Sequence, residues 1–102
     1  MSIRDEYHNN MVTINIGEHF TFNDSNLFRE TLNKAFSNKI TTLNINLSRL
    51  DFMDSSGLGM LMVADNECKK HHVSLHLRNP VGEVKKLLQL TRCYERFNVL
   101  EH

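Results

Sequence analysis

The chain has no tryptophan, one proline, four glycines and two cysteines among 102 residues, and its twelve basic residues offset twelve acidic ones. Each scarcity excludes something. Without net charge there is no broad electrostatic field to hold nucleic acid or an anionic membrane. Aromatic residues make up 8% of the chain, too few for a base-stacking surface. Cys68 and Cys93 are too few for a disulfide framework and lack metal-ligand spacing, so neither a metal nor any other cofactor is expected. No apolar run approaches the length of a membrane span, and the N-terminus lacks a charged-then-apolar signal pattern, so the expected location is cytoplasmic. Two independent cores in a chain of this length would each be too small, which leaves one domain. That domain is expected over residues 1–99. Leu100-Glu101-His102 looks like the start of an expression-vector histidine tag, and no function is placed on His102.

What is present is alternation. Ile3 to Tyr7 and Met11 to Ile16 flank the turn-prone His8-Asn9-Asn10 and read as a β-hairpin. In the second arm Val12, Ile14 and Ile16 oppose Met11, Thr13 and Asn15. Thr42 to Leu47 repeats the pattern with Leu43, Ile45 and Leu47, and Val73 to Arg78 repeats it with Val73, Leu75 and Leu77. Strands with one apolar and one polar face predict a sheet covered on one side, since a sheet buried on both faces needs continuous apolar runs.

Helical segments separate these strands. Asp24 or Ser25 can cap the first, whose Leu27, Phe28, Leu32, Ala35 and Phe36 form adjoining apolar columns. The second runs from about Ser56 to Lys70, with Leu58, Met60, Leu61, Ala64 and Cys68 on one arc, which makes Cys68 a buried thiol. Met62 and Val63 fall outside that arc, among polar residues, and suggest a docking surface one turn from two serines. Asn79-Pro80 opens the third helix, with Val81, Val84, Leu87 and Leu88 facing the core. A short final strand, Phe97 to Val99, completes the order β-β-α-β-α-β-α-β. Crossovers of this kind favour parallel, right-handed strand pairs. The predicted fold is α/β, a small mixed sheet of four or five strands with helices mainly on one face.

The stretch Asp51-Phe52-Met53-Asp54-Ser55-Ser56-Gly57-Leu58-Gly59 joins the third of these strands to the second helix. Side-chain oxygens of serine and aspartate there can accept from first-turn N–H groups that lack a partner within the helix. Local spacing leaves Ser55 open to two readings, a helix cap without regulatory role or an exposed hydroxyl open to modification. Gly57 and Gly59 are similarly open: each either lets the helix pack against the sheet or lets a partner's backbone approach. An enzyme fits less well. Asp54-Ser55-Ser56-Gly57 is not the Gly-x-Ser-x-Gly nucleophile elbow. No histidine pair has helical zinc spacing, and the two glycines do not make a phosphate-binding loop.

Leu50 to Gly59, placed after an apolar strand and before a helix, strongly resembles the signature of the STAS domain, in particular of anti-sigma factor antagonists. The resemblance extends over about Val12 to Val99. It implies a small mixed sheet with helices on one face, in agreement with the alternation. It also implies that Ser55, directly after the motif aspartate, is phosphorylated by a partner with serine kinase activity, with Ser56 as the fallback. The unphosphorylated form would bind an anti-sigma factor or similar switch kinase through Asp54, Ser55, Ser56, Gly57, Leu58, Gly59, Met62 and Val63. A PP2C-type phosphatase would restore that form. One stretch departs from the family: Gly17-Glu18-His19-Phe20 stands where many members carry Gly-Glu-Leu-Asp. The resemblance also allows a rival role, a non-catalytic accessory subunit of a lipid-transporting ABC system, although that group tends not to keep the serine.

Overall fold

The structure, a computed structural model, describes residues 3–101. In chain order its elements are β1 (Ile3–His8), β2 (Met11–Ile16), β3 (His19–Phe20), a 3-10 turn (Phe22–Asp24), α1 (Ser25–Ser37), β4 (Thr42–Asn46), β5 (Phe52–Met53), α2 (Ser55–Lys70), β6 (Ser74–Arg78), α3 (Gly82–Leu90), α4 (Cys93–Arg96) and β7 (Asn98–Leu100). Five strands make the main sheet in the order β1-β2-β4-β6-β7. The β1–β2 hairpin is antiparallel and the other three pairings are parallel. The hairpin turns at Asn9, whose φ of 55° asparagine tolerates better than most residues.

The alternation read from the sequence becomes two chemically different faces. Val12, Ile14 and Ile16 of β2, Leu43 and Ile45 of β4, and Leu75 and Leu77 of β6 enter one continuous core with Phe28 and Leu32 of α1, Leu61 and Ala64 of α2, and Val84 and Leu88 of α3. The helices therefore pack on one face. The opposite face carries Thr13, Asn15, Asn44, Asn46, His76 and Arg78 in register. Asparagine is a poor strand former, but here its amides are paired across strands. Asn46 donates to Asn15 Oδ1 at 2.9 Å and Asn15 donates to Glu6 Oε1 at 3.0 Å. Asn44, buried by its central position, accepts from Arg78 Nε at 3.0 Å.

Several boundaries differ from the sequence reading. Asp24 does not cap α1 with its side chain; its carboxylate turns back to accept from the Thr21 N–H at 2.9 Å and closes the 3-10 turn that precedes the helix. Asn79-Pro80 does not open α3. Asn79 has φ 57° and Val81 is extended, so the pair belongs to the turn out of β6, and the helix begins at Gly82. Val81 is consequently exposed rather than in the core. The last strand lies one residue later than expected, at Asn98–Leu100, and α4 precedes it. Leu100 pairs with Arg78 in the sheet, and Glu101 lies 2.7 Å from Lys85 Nζ. His102 lies outside the described residues.

Candidate functional site at the start of α2

Asp54 leaves β5 in an extended conformation (φ −93°, ψ −175°) and its Oδ1 accepts from the Gly57 N–H at 2.9 Å. This is an N-cap of the aspartate type. The cap is thus Asp54, and Ser55 is the first helical residue rather than the cap. Ser55 is exposed and Ser56 is half-buried. Among the described residues, no hydrogen bond uses the Ser55 hydroxyl.

The glycines also separate. A Cβ on Gly57 would fall within 2.5 Å of Met53 Cγ and closer still to the Phe20 carbonyl oxygen, so this glycine is where α2 presses against β3 and β5. A Cβ on Gly59 would meet nothing within 4 Å, and the residue is exposed. Val63 is exposed, whereas Met62 is half-buried and packs partly against the core. Leu58 likewise lies partly against the core.

Sequence reasoning missed the support beneath this helix start. β3 and β5 form a separate two-stranded parallel sheet, with His19 opposite Phe52 and Phe20 opposite Met53. The Glu18 carbonyl accepts from the N–H groups of Asp51 and Phe52 at 2.9 and 3.1 Å. Phe20 is buried edge-on against Phe28 of α1, with ring centroids 5.0 Å apart. The stretch that departs from the family pattern, Gly17 to Phe20, therefore borders the site directly. Around it Phe22 and Phe52 are 71% and 53% exposed, and a groove lined by Glu18, His19, Asp24 and Arg49 runs beside Phe52. No ion pair among the described residues engages Asp51 or Asp54.

A second omission is Asp65, a buried carboxylate on α2 that accepts from Arg96 Nε at 3.0 Å and lies 3.1 Å from Lys69 Nζ. It ties α2 to α4. Burial, with Asp65 and Glu67 adding to it, pushes the Cys68 thiol up to about 12, so the side chain is a neutral, inert packing group. Among the described residues no helix is long and apolar enough to cross a membrane, and no cluster of His, Cys, Asp and Glu could hold a metal ion.

Comparison with known proteins agrees with this geometry. No curated protein sequence matches the chain. Among solved structures, the anti-sigma factor antagonist SpoIIAA in its unphosphorylated form is similar with a TM-score of 0.85 at 24% identity, over 98% of this chain and 87% of that one. The Bacillus SpoIIAA in its phosphorylated form is similar with a TM-score of 0.79 at 22% identity, over 98% and 90%. An anti-sigma factor antagonist from Mycobacterium paratuberculosis gives 0.83 at 16% identity, over 96% and 83%. At these identities the likeness is one of fold. The sequence model of the STAS domain matches residues 2–102, and the chain belongs to the STAS domain family.

Proposed function

We propose that this protein is a phosphorylation-controlled partner-switching regulator of the anti-sigma factor antagonist type, acting in the cytoplasm. Its unmodified form binds an anti-sigma factor or switch protein with serine kinase activity. Phosphorylation of Ser55 ends that complex, and a PP2C-type phosphatase restores the binding form. The chain is the substrate of this chemistry and performs none itself.

The observation that carries this reading is the Ser55 hydroxyl, exposed on the first residue of α2 while Asp54 supplies the cap. Ser56, half-buried, is the poorer acceptor. A phosphate adds about −1.5 to −2 charge and three acceptor oxygens. At a helix N-terminus the dipole and free N–H groups favour an anion, so the fold tolerates the modification. Two solved SpoIIAA structures support that point, since one in the unphosphorylated form and one in the phosphorylated form share this fold.

Binding responds differently. A kinase presents the phosphates of ATP at the point that meets Ser55, and Asp54, the residue before it, already places a carboxylate at the helix start. Like charges brought together across an interface cost several kcal/mol. At about 1.4 kcal/mol per tenfold change, a loss of at least roughly a hundredfold in affinity follows.

Phosphosite mapping by mass spectrometry, on protein from its native cell and on protein treated with the copurifying kinase, tests the assignment. One phosphate on Ser55, absent from Ser55→Ala, is the expected result. A phosphate elsewhere, or none, overturns it, and copurification with a membrane transporter in place of an ATP-dependent kinase assigns the accessory-subunit role instead.

A further inference from the structure

β1 lies at one end of the main sheet and pairs with β2 alone; its other edge carries no strand among the described residues. Which backbone groups face that edge follows from the hairpin. The Asn10 carbonyl accepts from the Thr42 N–H of β4, so Val12 and Ile14 turn their backbone groups toward β4, and Met11, Thr13 and Asn15 turn theirs toward β1. The residues opposite these, His8, Glu6 and Arg4, direct their N–H and C=O groups to β2. Ile3, Asp5 and Tyr7 therefore hold theirs outward.

An open edge invites pairing with another chain, and proteins blunt such edges with short strands, prolines or bulges. β7, at the opposite end of the sheet, is three residues long. β1 is six residues long, contains no proline and keeps an unbroken register with β2. It carries instead two opposite charges on the uncovered face, Arg4 and Glu6, whose side chains are 68% and 66% exposed. We infer that β1 is a self-association surface: the β1 strands of two copies of this chain pair antiparallel about a two-fold axis at Asp5, joining two sheets into one.

Charge selects that register. The outward backbone groups match when Ile3 of one copy faces Tyr7 of the other and Asp5 faces Asp5. Each Arg4 then stands directly opposite Glu6 of the other copy, in a non-hydrogen-bonded pair with Cα atoms about 4.5 Å apart, where cross-strand charges interact closely. Slipping by two residues either way sets Arg4 against Arg4 or Glu6 against Glu6. On the helix side the exposed ring of Tyr7 meets Ile3 of the other copy, an aromatic and β-branched pair. The two Asp5 carboxylates are each already paired within their own copy, 3.2 Å from Lys34 Nζ of α1. The chain has no net charge to hold copies apart. Because the same strand serves both copies, association closes at two. No step depends on Ser55.

Sedimentation equilibrium of the purified chain over a wide concentration range tests the dimer, and amide hydrogen exchange tests the register. The expected result is a reversible monomer–dimer equilibrium in which the Asp5 and Tyr7 N–H groups become protected as the dimer forms. Arg4→Glu and Glu6→Arg each set like charges opposite and should weaken the dimer at least tenfold. The double variant Arg4→Glu/Glu6→Arg restores opposite charges and should dimerise close to wild type, with circular dichroism showing that all three variants fold. Rescue by the second swap is a result that loss of fold does not give. A chain that is monomeric at every concentration overturns the inference, as does a dimer that survives both single swaps, a folded double variant that stays monomeric, or assembly beyond two copies. A dimer whose Asp5 and Tyr7 N–H groups exchange as fast as in the monomer also overturns it.

Discussion

Cys68 shows how a single buried group makes stability depend on pH. Its thiol is raised from an ordinary value of 9.0 to about 12 by burial first and by Asp65 and Glu67 second. Above pH 9 the unfolded chain releases a proton that the folded chain keeps, so the contribution to stability is complete below pH 9 and declines as pH rises toward 12. The slope is about 1.4 kcal/mol per pH unit. Urea unfolding at pH 8 and pH 10 should show wild type losing on the order of 1 kcal/mol more than Cys68→Ala over that interval; parallel losses in the two proteins would contradict this origin. Cys68 was legible in the sequence because apolar spacing on α2 placed it on the core arc. The distinction between Gly57 and Gly59 was not, since it depends on the Phe20 carbonyl, brought to the helix by tertiary packing. Asp65 was hidden for the same reason: its partner Arg96 is 31 residues away and reaches it only across the α2–α4 contact.

Among the elements, α2 carries the site at one end and a strained residue at the other. Its C-terminus closes as a Schellman motif, with the Val73 N–H donating to the Cys68 carbonyl at 2.8 Å and the His72 N–H to Lys69 at 3.4 Å. His72 holds the left-handed position, φ 58°, that glycine usually fills. It is exposed, so a substitution there changes backbone preference and little else. His72→Gly is therefore expected to stabilise the protein by about 0.5–1 kcal/mol, read as a higher urea midpoint with an unchanged slope. A lower midpoint would show that His72 makes a contribution beyond its conformation. The long periodic elements, α1, α2, β2, β4 and β6, were readable because each repeats its pattern several times. The two-residue strands β3 and β5 contain no repeat at all, and they are the elements that hold the start of α2 in place. Proline misled at α3: a first-turn proline is common, but here Asn79 in the left-handed region makes Pro80 part of a turn.

At the scale of the molecule, strict alternation in three strands distinguished a one-sided sheet from a doubly covered one, and the single core on one face agrees with it. The same arrangement brings the loops after the parallel strands β2 and β4 to one end, where Glu18 binds the backbone of Asp51 and Phe52 and Asp54 opens α2. In the proposed switch, a rigid support of this kind would let a charge at Ser55 alter what binds without altering the fold beneath it. The most direct measurement is the affinity of the proposed kinase partner for fully phosphorylated and fully unphosphorylated protein, with circular dichroism on both forms. The expected result is superimposable spectra and affinity at least roughly a hundredfold weaker for the phosphorylated form. Equal affinities, or a spectrum that changes with phosphorylation, would contradict it.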